Sequence, residues 1–212
     1  MRELLDQDIL EYCIAHTTQP DDLLRALERE TNLSTVTPQM IAGPYQGKFL
    51  EFITMISGAK DALEVGTFTG YAAICIARGL SQGGHLDAIE VNPEREKIIS
   101  KYIDLAGLKE TITLHIGDAF SVIPDLKRNW DLIFIDAGKR DNAVYYDLLV
   151  PRLNHKGILI LDNVLWGGKV ITEPDDKDAI LIDSLNNKIA ADERVECLML
   201  PIRDGITVIR KK

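Results

Sequence analysis

The chain has 212 residues, of which 46% are hydrophobic and 27% are charged, the composition of an ordinary globular protein. Its formal net charge of −9 argues against a nucleic-acid-binding surface, because phosphate binding requires clustered lysine and arginine. No apolar run approaches the roughly 20 residues of a membrane-spanning helix, and the start of the chain does not have the pattern of a signal peptide, so we expect neither nucleic acid nor membrane as a partner.

The first 57 residues have helical character and precede the first strand-like segment. Helical patterns cover 21–30 and 39–57, and neither belongs to an alternation of strands and helices. We therefore predict an amino-terminal helical cap over 1–57, acting as a lid or an oligomer contact, and an α/β core over 58–212. Because no linker or internal repeat interrupts the chain, 1–212 is predicted to be a single domain.

From residue 58 onward strand-like and helix-like segments alternate, which is typical of a doubly wound α/β sheet. The predicted strands are 61–66, 85–90, 111–117, 130–136, 156–162, 194–200 and 205–210. The predicted helices are 70–81, 93–107, 118–127, 141–152 and 176–192. Only residues 201–204 join the last two strands, so these strands must form a hairpin, which makes the last strand antiparallel to its neighbour.

A glycine-bearing turn follows the first strand and opens a helix. This geometry brings backbone N–H groups close to a nucleotide-like ligand. The turn contains Gly66 and Gly70, and Phe68 stands where a dinucleotide motif would have a glycine for the approach of a pyrophosphate. The expected ligand therefore lacks phosphates. The alternative is that these glycines only make a tight turn.

Acidic residues stand near the same turn and at the ends of the next two strands. Glu90 ends the second strand, where a carboxylate can accept both hydroxyls of a ribose. Glu64 faces the turn and could pair with a ligand ammonium group, and 117–119 could line an adenine. The alternative for Glu90 is an ordinary surface residue.

Polar residues also end two further buried strands. Asp136 follows one of them, and Asp162 and Asn163 end the other. Since ligands bind beyond the carboxyl ends of parallel strands, these residues predict a site there. Carboxylate and amide oxygens suit Mg²⁺, Mn²⁺ or Ca²⁺ and not Zn²⁺. Lys139, three residues after Asp136, would be the base beside the cation, whereas the alternative is that the acidic residues only cap helices or turns.

Five segments make the chain recognisable, namely 59–60, 64–71, 136–139, 162–168 and 200–207. With them the chain resembles the class I S-adenosylmethionine-dependent methyltransferases, and among these the cation-dependent O-methyltransferases typified by caffeoyl-CoA and catechol O-methyltransferases. The resemblance covers nearly the whole chain from about residue 40. Two positions depart from the family: Gly138, where Asp or a bulkier residue is usual, and Ala72, where Ser is common and helps to hold the cofactor carboxylate.

The resemblance implies a seven-stranded sheet with its last strand antiparallel, and S-adenosylmethionine as methyl donor. It implies cofactor contacts from Glu64, Gly66, Glu90 and Ala119, with Met40 at the border of the site. The full predicted cofactor set is Met40, Glu64, Gly66, Thr69, Gly70, Tyr71, Ala72, Glu90, Val91, Asp118, Ala119 and Asp136.

The predicted reaction is methyl transfer to one hydroxyl of a small aromatic vicinal diol, a catechol that could be linked to CoA. A divalent cation bound by Asp136, Asp162 and Asn163 would activate the acceptor, with Lys139 and Asp136 as catalytic residues. Two other functions stay open: a nicotinamide-dependent oxidoreductase on the same sheet, and a non-catalytic binding protein on a methyltransferase scaffold.

Several aromatic and polar residues are open to two interpretations. Trp166 could form a wall against the acceptor or pack in the core, and Asp204 could reach the acceptor or only form the hairpin turn. Tyr145 and Tyr146 are more typical of a core or a dimer contact than of a catalytic site. None of the four histidines is assigned a catalytic role, because they are scattered without metal-ligand spacing.

The resemblance further implies a homodimer, with exposed Leu23, Leu24 and Leu27 as possible contacts. The cysteines are odd in number and lie among apolar neighbours, which predicts buried free thiols in a reducing compartment and hence a cytoplasmic protein.

Overall fold

The computed structural model describes residues 7–138 and 140–212, apart from the side chain of Gln7. These residues begin with helix α1 (Gln7–Ala15) and form two compact units. One unit is Tyr12–Arg128, and the other is Asn129–Lys212 together with the chain up to Glu11. Within the described part of the chain, no helix combines the length and the apolar character needed to cross a membrane.

The unit Tyr12–Arg128 contains three parallel strands and five helices. The strands are β1 (Asp61–Val65), β2 (His85–Glu90) and β3 (Ile112–Ile116). The helices are α2 (Asp22–Ser34), α3 (Gly43–Ser57), α4 (Tyr71–Gly79), α5 (Glu96–Leu105) and α6 (Ala119–Val122), with single 3-10 turns at Pro38–Met40, Pro93–Arg95 and Ile123–Asp125. Strand β2 lies between the other two and pairs Glu64 with Ala88 on one side and Glu90 with Ile116 on the other.

The second unit contains the remaining four strands. They are β4 (Trp130–Ile135), β5 (Leu153–Asp162), β6 (Val195–Leu200) and β7 (Ile206–Lys211). The helices are α7 (Asn142–Leu149), α8 (Lys169–Thr172) and α9 (Lys177–Ala191), with 3-10 turns at Val150–Arg152 and Trp166–Gly168. Strands β4 and β5 are parallel, and β7 is antiparallel to both β5 and β6.

All seven strands belong to one sheet with the order β3-β2-β1-β4-β5-β7-β6. The predicted seven-stranded α/β sheet with an antiparallel last strand is therefore confirmed. Several element boundaries differ from the predicted ones, among them those of β5 and α6. Strand β5 begins at Leu153, ahead of the predicted 156, and α6 ends at Val122 because Pro124 lacks the N–H that an α-helix would need there.

Helices α3 and α4 approach each other closely at two glycines. A Cβ on Gly47 would lie 2.6 Å from Cε1 of Tyr71, and a Cβ on Gly79 would lie 2.5 Å from the carbonyl oxygen of Glu51. Both distances are shorter than a contact between two non-bonded atoms allows, so these positions require glycine. The contact fixes α4, which begins directly after the glycine-bearing turn, against the helix predicted to cap the core.

Two predictions about exposure are wrong. Leu24 and Leu27 are buried, at 4% and 0% exposure, because the apolar side of α2 packs within its own unit. They are therefore not available as dimer contacts. Cys13, Cys75 and Cys197 are free as predicted, but only Cys75 is buried, whereas Cys197 lies exposed on β6.

Asp192, directly after α9, is the centre of a polar cluster. Its carboxylate accepts hydrogen bonds from the Arg194 guanidinium at 2.6 Å and from the Tyr146 hydroxyl at 2.8 Å, and the bonds from Arg194 are the main reason that its pKa is held below the usual value. A carboxylate whose folded-state pKa is depressed stabilises the fold above the ordinary carboxyl pKa of about 4, and this contribution is lost as pH falls through the folded-state pKa.

We therefore expect Asp192→Asn to lower the free energy of unfolding by about 2 kcal/mol at pH 7, and by progressively less as pH falls below about 4. Urea denaturation between pH 3 and pH 7 measures this difference against the wild type. Asp175→Asn, at an exposed carboxylate in the same unit, is the matched control and should show a small difference at every pH. A deficit for Asp192→Asn that is equal at pH 3 and pH 7 would contradict the role of this ionised carboxylate.

Candidate functional site

The turn between β1 and α4 is built on backbone conformations that favour glycine. Gly66 has φ 97° and Gly70 has φ 96°, and the N–H groups of Gly66 and Thr67 both donate to the carbonyl of Ile89, at 3.0 and 3.1 Å. These bonds tie the turn to the end of β2. Gly70 immediately precedes α4, so the turn leads directly into the helix N-terminus as predicted.

Phe68 keeps a strained conformation in this turn. Its φ is 54°, in the left-handed region that non-glycine residues rarely adopt. Two contacts hold it there: its N–H donates to Oε2 of Glu90 at 2.7 Å, and the Arg95 guanidinium lies over its ring at 4.3 Å from the centroid. The turn therefore places a bulky side chain at the position where the approach of a pyrophosphate would require glycine.

Glu90 is a buried carboxylate with a fixed orientation. Only 2% of the residue is exposed, and it accepts hydrogen bonds from the N–H of Phe68, from the N–H of Asn92 at 2.9 Å and from Nη1 of Arg95 at 3.2 Å. Hydrogen bonds from backbone groups cost little entropy to form and orient the carboxylate before a ligand arrives. The structure thus places Glu90 at the end of β2, inside the protein and not on its surface.

The other residues of the predicted cofactor set fall into two groups. Buried ones lie on β1, at the turn and at the start of the helices α4 and α6: Glu64, Thr69, Tyr71, Ala72 and Ala119. Exposed ones are Met40, Val91 and Asp118. Asp118 caps α6 by accepting from the N–H of Phe120 at 3.2 Å. Tyr71 turns toward α3, with its ring at Gly47, and among the described residues its buried hydroxyl has no hydrogen-bond partner.

The predicted cation ligands meet at the ends of β4 and β5. Nδ2 of Asn163 donates to Oδ1 of Asp136 at 2.9 Å, and the N–H of Asn163 donates to Oδ1 of Asp162 at 2.7 Å. Because the amide nitrogen of Asn163 is turned to Asp136, its amide oxygen is the atom left for a ligand. Asp162 is buried, at 5% exposure.

The two carboxylates repel each other. Burial, followed by the negative charge of Asp162, raises the pKa of Asp136 to about 8, while Arg203 and the hydrogen bond from Asn163 act in the opposite direction. A cation would relieve this repulsion, so the donor set fits a hard divalent ion. In the described part of the chain, no group of three His, Cys, Asp or Glu residues gathers as a metal site, and the candidate set consists of two carboxylates and one amide.

The loop that carries Asn163 is held by the β6–β7 hairpin. The N–H of Val164 donates to the carbonyl of Gly205 at 3.2 Å, and the N–H of Leu165 donates to that of Asp204 at 2.8 Å. Asp204 thus contributes its backbone to the hairpin contact, and its side chain is half-buried. Trp166, also half-buried, has φ 49° and precedes Gly167 and Gly168, which have positive φ as well.

The remaining predictions concern Lys139 and two tyrosines of α7, and one residue that acts on Asp136 was not predicted. Lys139, the predicted base, lies outside the described residues, so its role stays a prediction. Tyr145 and Tyr146 are core residues, at 5% and 0% exposure. Arg203 acts electrostatically on Asp136, and no motif in the sequence indicates this because the side chain comes from the turn of a hairpin.

Comparisons with known proteins agree with this arrangement. The chain is 31% identical over 214 residues to a probable caffeoyl-CoA O-methyltransferase of Dictyostelium discoideum, covering 97% of this chain and 93% of the relative. It is 30% identical to caffeoyl-CoA O-methyltransferase 1 of Arabidopsis thaliana, covering 98% of this chain and 86% of the relative.

Solved structures of O-methyltransferases are also similar to this chain. The O-methyltransferase from Bacillus cereus in complex with SAH superposes with a TM-score of 0.88 at 28% identity, over 97% of both chains. The O-methyltransferase TomG from Streptomyces achromogenes, in complex with SAM, superposes with a TM-score of 0.85 at 26% identity, over 99% of this chain and 100% of that one. Since the O-methyltransferase family model also matches residues 15–212, the chain belongs to the O-methyltransferase family and is an enzyme.

Proposed function

We propose that this enzyme transfers the methyl group of S-adenosylmethionine to one hydroxyl of a small aromatic vicinal diol, with a divalent cation held by Asp136, Asp162 and Asn163. The observation that carries the proposal is the meeting of two mutually repelling carboxylates and an amide at the ends of β4 and β5. Oxygen ligands of this kind suit Mg²⁺, Mn²⁺ or Ca²⁺.

The methyl donor is proposed from the turn and from the relatives. Two structures similar to this chain, at 28% and 26% identity, contain SAH and SAM. A buried, pre-oriented Glu90 suits the hydroxyls of a ribose, and Phe68 disfavours a pyrophosphate in the turn. The predicted alternative of a nicotinamide-dependent oxidoreductase is not supported, since the chain belongs to a family of O-methyltransferases.

The residues of this chain would divide the work as follows. Asp136, Asp162 and Asn163 hold the cation, which would lower the pKa of the acceptor hydroxyl, and Lys139 takes the proton from that hydroxyl. Asp136 would keep its negative charge beside the cation. We therefore propose it both as a cation ligand and as a catalytic residue. Trp166 and Asp204 are proposed to border the acceptor. Methyl transfer to an oxygen needs no covalent enzyme intermediate. The main remaining task of the enzyme is therefore to align the acceptor hydroxyl with the methyl group of S-adenosylmethionine.

The acceptor assignment is tested with a panel in which only the second hydroxyl changes. Catechol and caffeoyl-CoA each have two adjacent hydroxyls, whereas phenol and 4-coumaroyl-CoA have one. With S-adenosylmethionine and Mg²⁺, mass spectrometry should detect a single added methyl group on the diols and little on the monohydroxy partners. Equal methylation of phenol and catechol would overturn the diol assignment. Absence of methylation on every acceptor would also overturn the diol assignment and leave the acceptor of this O-methyltransferase to be sought among other hydroxyl compounds.

We also propose a single-domain homodimer in the cytoplasm. Free cysteines with Cys197 exposed support a reducing compartment. Exposed apolar side chains suited to a dimer contact lie on one side of α3, at Phe52, Met55 and Ile56, and not at the buried leucines of α2. Light scattering at micromolar concentration should return twice the 23.7 kDa chain mass, and a monomer mass would exclude the dimer.

A further inference from the structure

Helix α2 carries a buried threonine on its apolar side. Thr31 is fully buried and follows Leu24 and Leu27 at the helical spacing of the residues that pack within the unit. A hydroxyl in such a position needs a hydrogen-bond partner, because an unpaired buried polar group is unfavourable. The partner is in the glycine-bearing turn: Oγ1 of Thr31 donates to Oγ1 of Thr69 at 3.0 Å, and Thr69 is fully buried as well.

This hydrogen bond leaves the helix, whereas a hydroxyl within a helix commonly donates to a carbonyl of the preceding turn. Ser34 of α2 donates to the carbonyl of Glu30, and Thr54 of α3 donates to that of Leu50, each at 2.7 Å. Thr31 donates instead to a residue 38 positions away in the chain. The contact therefore joins α2 to the turn between β1 and α4 and does not serve the helix itself.

Thr69 lies between two positions of the turn that have positive φ. Phe68 before it has φ 54°, and Gly70 after it has φ 96°. Phe68 is held from the end of β2, where Glu90 accepts its N–H at 2.7 Å. The bond from Thr31 holds the next residue from α2. Hydrogen bonds to two separate elements thus keep the turn in a conformation that is unfavourable for Phe68.

The backbone of Thr31 is connected to another part of the predicted cofactor site. Its carbonyl accepts both the N–H of Thr35 at 3.1 Å and the hydroxyl of Thr35 at 2.8 Å, at the point where α2 ends. The chain then continues into the 3-10 turn Pro38–Met40, which carries the predicted cofactor residue Met40. Thr31 therefore joins the segment that leads to Met40 to the turn that contains Thr69.

We propose that Thr31 is a positioning residue of this enzyme, and that its hydroxyl holds the turn 66–70 in the conformation that binds the methyl donor. Thr31 is buried and acts through Thr69, without touching the donor itself. When the hydrogen bond is lost, Phe68 can leave the left-handed region, and the affinity falls with the fraction of molecules that keep the binding conformation. The inference rests on S-adenosylmethionine as methyl donor, one part of the proposed function, and not on the cation or the acceptor.

The test compares two replacements that remove different parts of one side chain. Thr31→Val keeps the shape and removes the hydroxyl, whereas Thr31→Ser keeps the hydroxyl and removes a buried methyl group. Calorimetry with S-adenosylhomocysteine should give a Kd about 3- to 10-fold above that of the wild type for Thr31→Val, since one neutral hydrogen bond is lost, and within about 2-fold for Thr31→Ser. The Tm of Thr31→Ser should nevertheless fall, because the missing methyl group leaves a cavity.

Turnover gives a second measurement of the same effect. Thr31→Val should raise the KM for S-adenosylmethionine by the same factor as the Kd and leave kcat unchanged. Thr69→Val removes the acceptor of the same hydrogen bond, so the double variant should bind S-adenosylhomocysteine no more weakly than Thr31→Val does. A further loss of affinity in the double variant would show that the two hydroxyls act independently and would overturn the inference.

Tyr102→Phe is the matched control, because it weakens the attachment of α2 at a place away from the turn. The hydroxyl of Tyr102, on α5, donates to Glu30 at 2.8 Å, directly beside Thr31. Its loss should leave the Kd unchanged. An unchanged Kd in Thr31→Val, or an equal rise in Thr31→Ser or Tyr102→Phe, would assign Thr31 to the packing of α2 and overturn the inference alone. Failure of the wild type to bind S-adenosylhomocysteine would overturn the proposed methyl donor too.

Discussion

Asp162→Asn is expected to raise the Tm of the cation-free enzyme while lowering methyl transfer by on the order of 10²- to 10³-fold. The two effects have one cause. In the cation-free protein the charge of Asp162 helps to raise the pKa of the half-buried Asp136, so a neutral amide at 162 removes an unfavourable interaction. The asparagine can still accept the N–H of Asn163, which keeps the loop in place.

The same change removes one of the two charges that bind the cation. Loss of a charged ligand weakens both the cation affinity and the activation of the acceptor, for which a contribution of several kcal/mol is usual. The measurements are the Tm with EDTA, the increase of Tm on adding Mg²⁺, and turnover of catechol. The wild type should gain Tm with Mg²⁺ and the variant should gain little.

Asp147→Asn is a matched control for this prediction. Asp147 is a surface carboxylate of the same unit, paired with Lys188 at 2.6 Å, so its replacement should change stability by less than about 1 kcal/mol and leave turnover unaffected. If Asp162→Asn lowered the Tm in EDTA and still showed the Mg²⁺ response of the wild type, the acidic pair would be a structural feature and not a cation site.

Glu90→Gln is expected to weaken the binding of S-adenosylhomocysteine by about 10- to 100-fold, because hydrogen bonds to an ionised group contribute about 1.5–3 kcal/mol. Three donors converge on this carboxylate, from Phe68, Asn92 and Arg95, and a glutamine offers one oxygen where two are used. We also expect the free energy of unfolding to fall by about 2 kcal/mol, since a buried donor is left without an acceptor.

Isothermal titration calorimetry below the Tm of the variant separates the two losses. The exposed Glu94, four residues further along the chain, provides the control Glu94→Gln, which should bind S-adenosylhomocysteine as the wild type does. An unchanged affinity in Glu90→Gln would remove Glu90 from the cofactor site, whatever happened to its stability.

The sheet could be predicted because its central strands are buried on both faces. Segments such as 132–135 are continuous apolar runs, and the number of strands follows from their alternation with helices along the chain. The early start of β5 could not be predicted, because residues 154–156 are polar and Lys156 has φ 64°. Likewise, the apolar side of α2 is visible in the sequence, but whether a neighbouring helix or a partner covers it depends on tertiary packing.

The candidate site could be predicted where polar residues stand at strand ends. This rule identified Glu90, Asp136, Asp162 and Asn163, which the structure places at the ends of β2, β4 and β5. It could not identify Arg203, whose electrostatic effect on Asp136 comes from a hairpin turn distant in sequence. Nor could it show that the ring of Tyr71 turns toward α3.

The cation requirement of wild-type turnover is the most direct test of the proposed mechanism. Methyl transfer from S-adenosylmethionine to catechol is measured by mass spectrometry after removal of metal with EDTA, and again after Mg²⁺ is restored in excess. We predict that transfer is lost with EDTA and recovered with Mg²⁺, while S-adenosylhomocysteine binding is unchanged. Transfer that continues at the same rate in EDTA would contradict a cation at Asp136, Asp162 and Asn163 and would leave these residues to bind the acceptor directly.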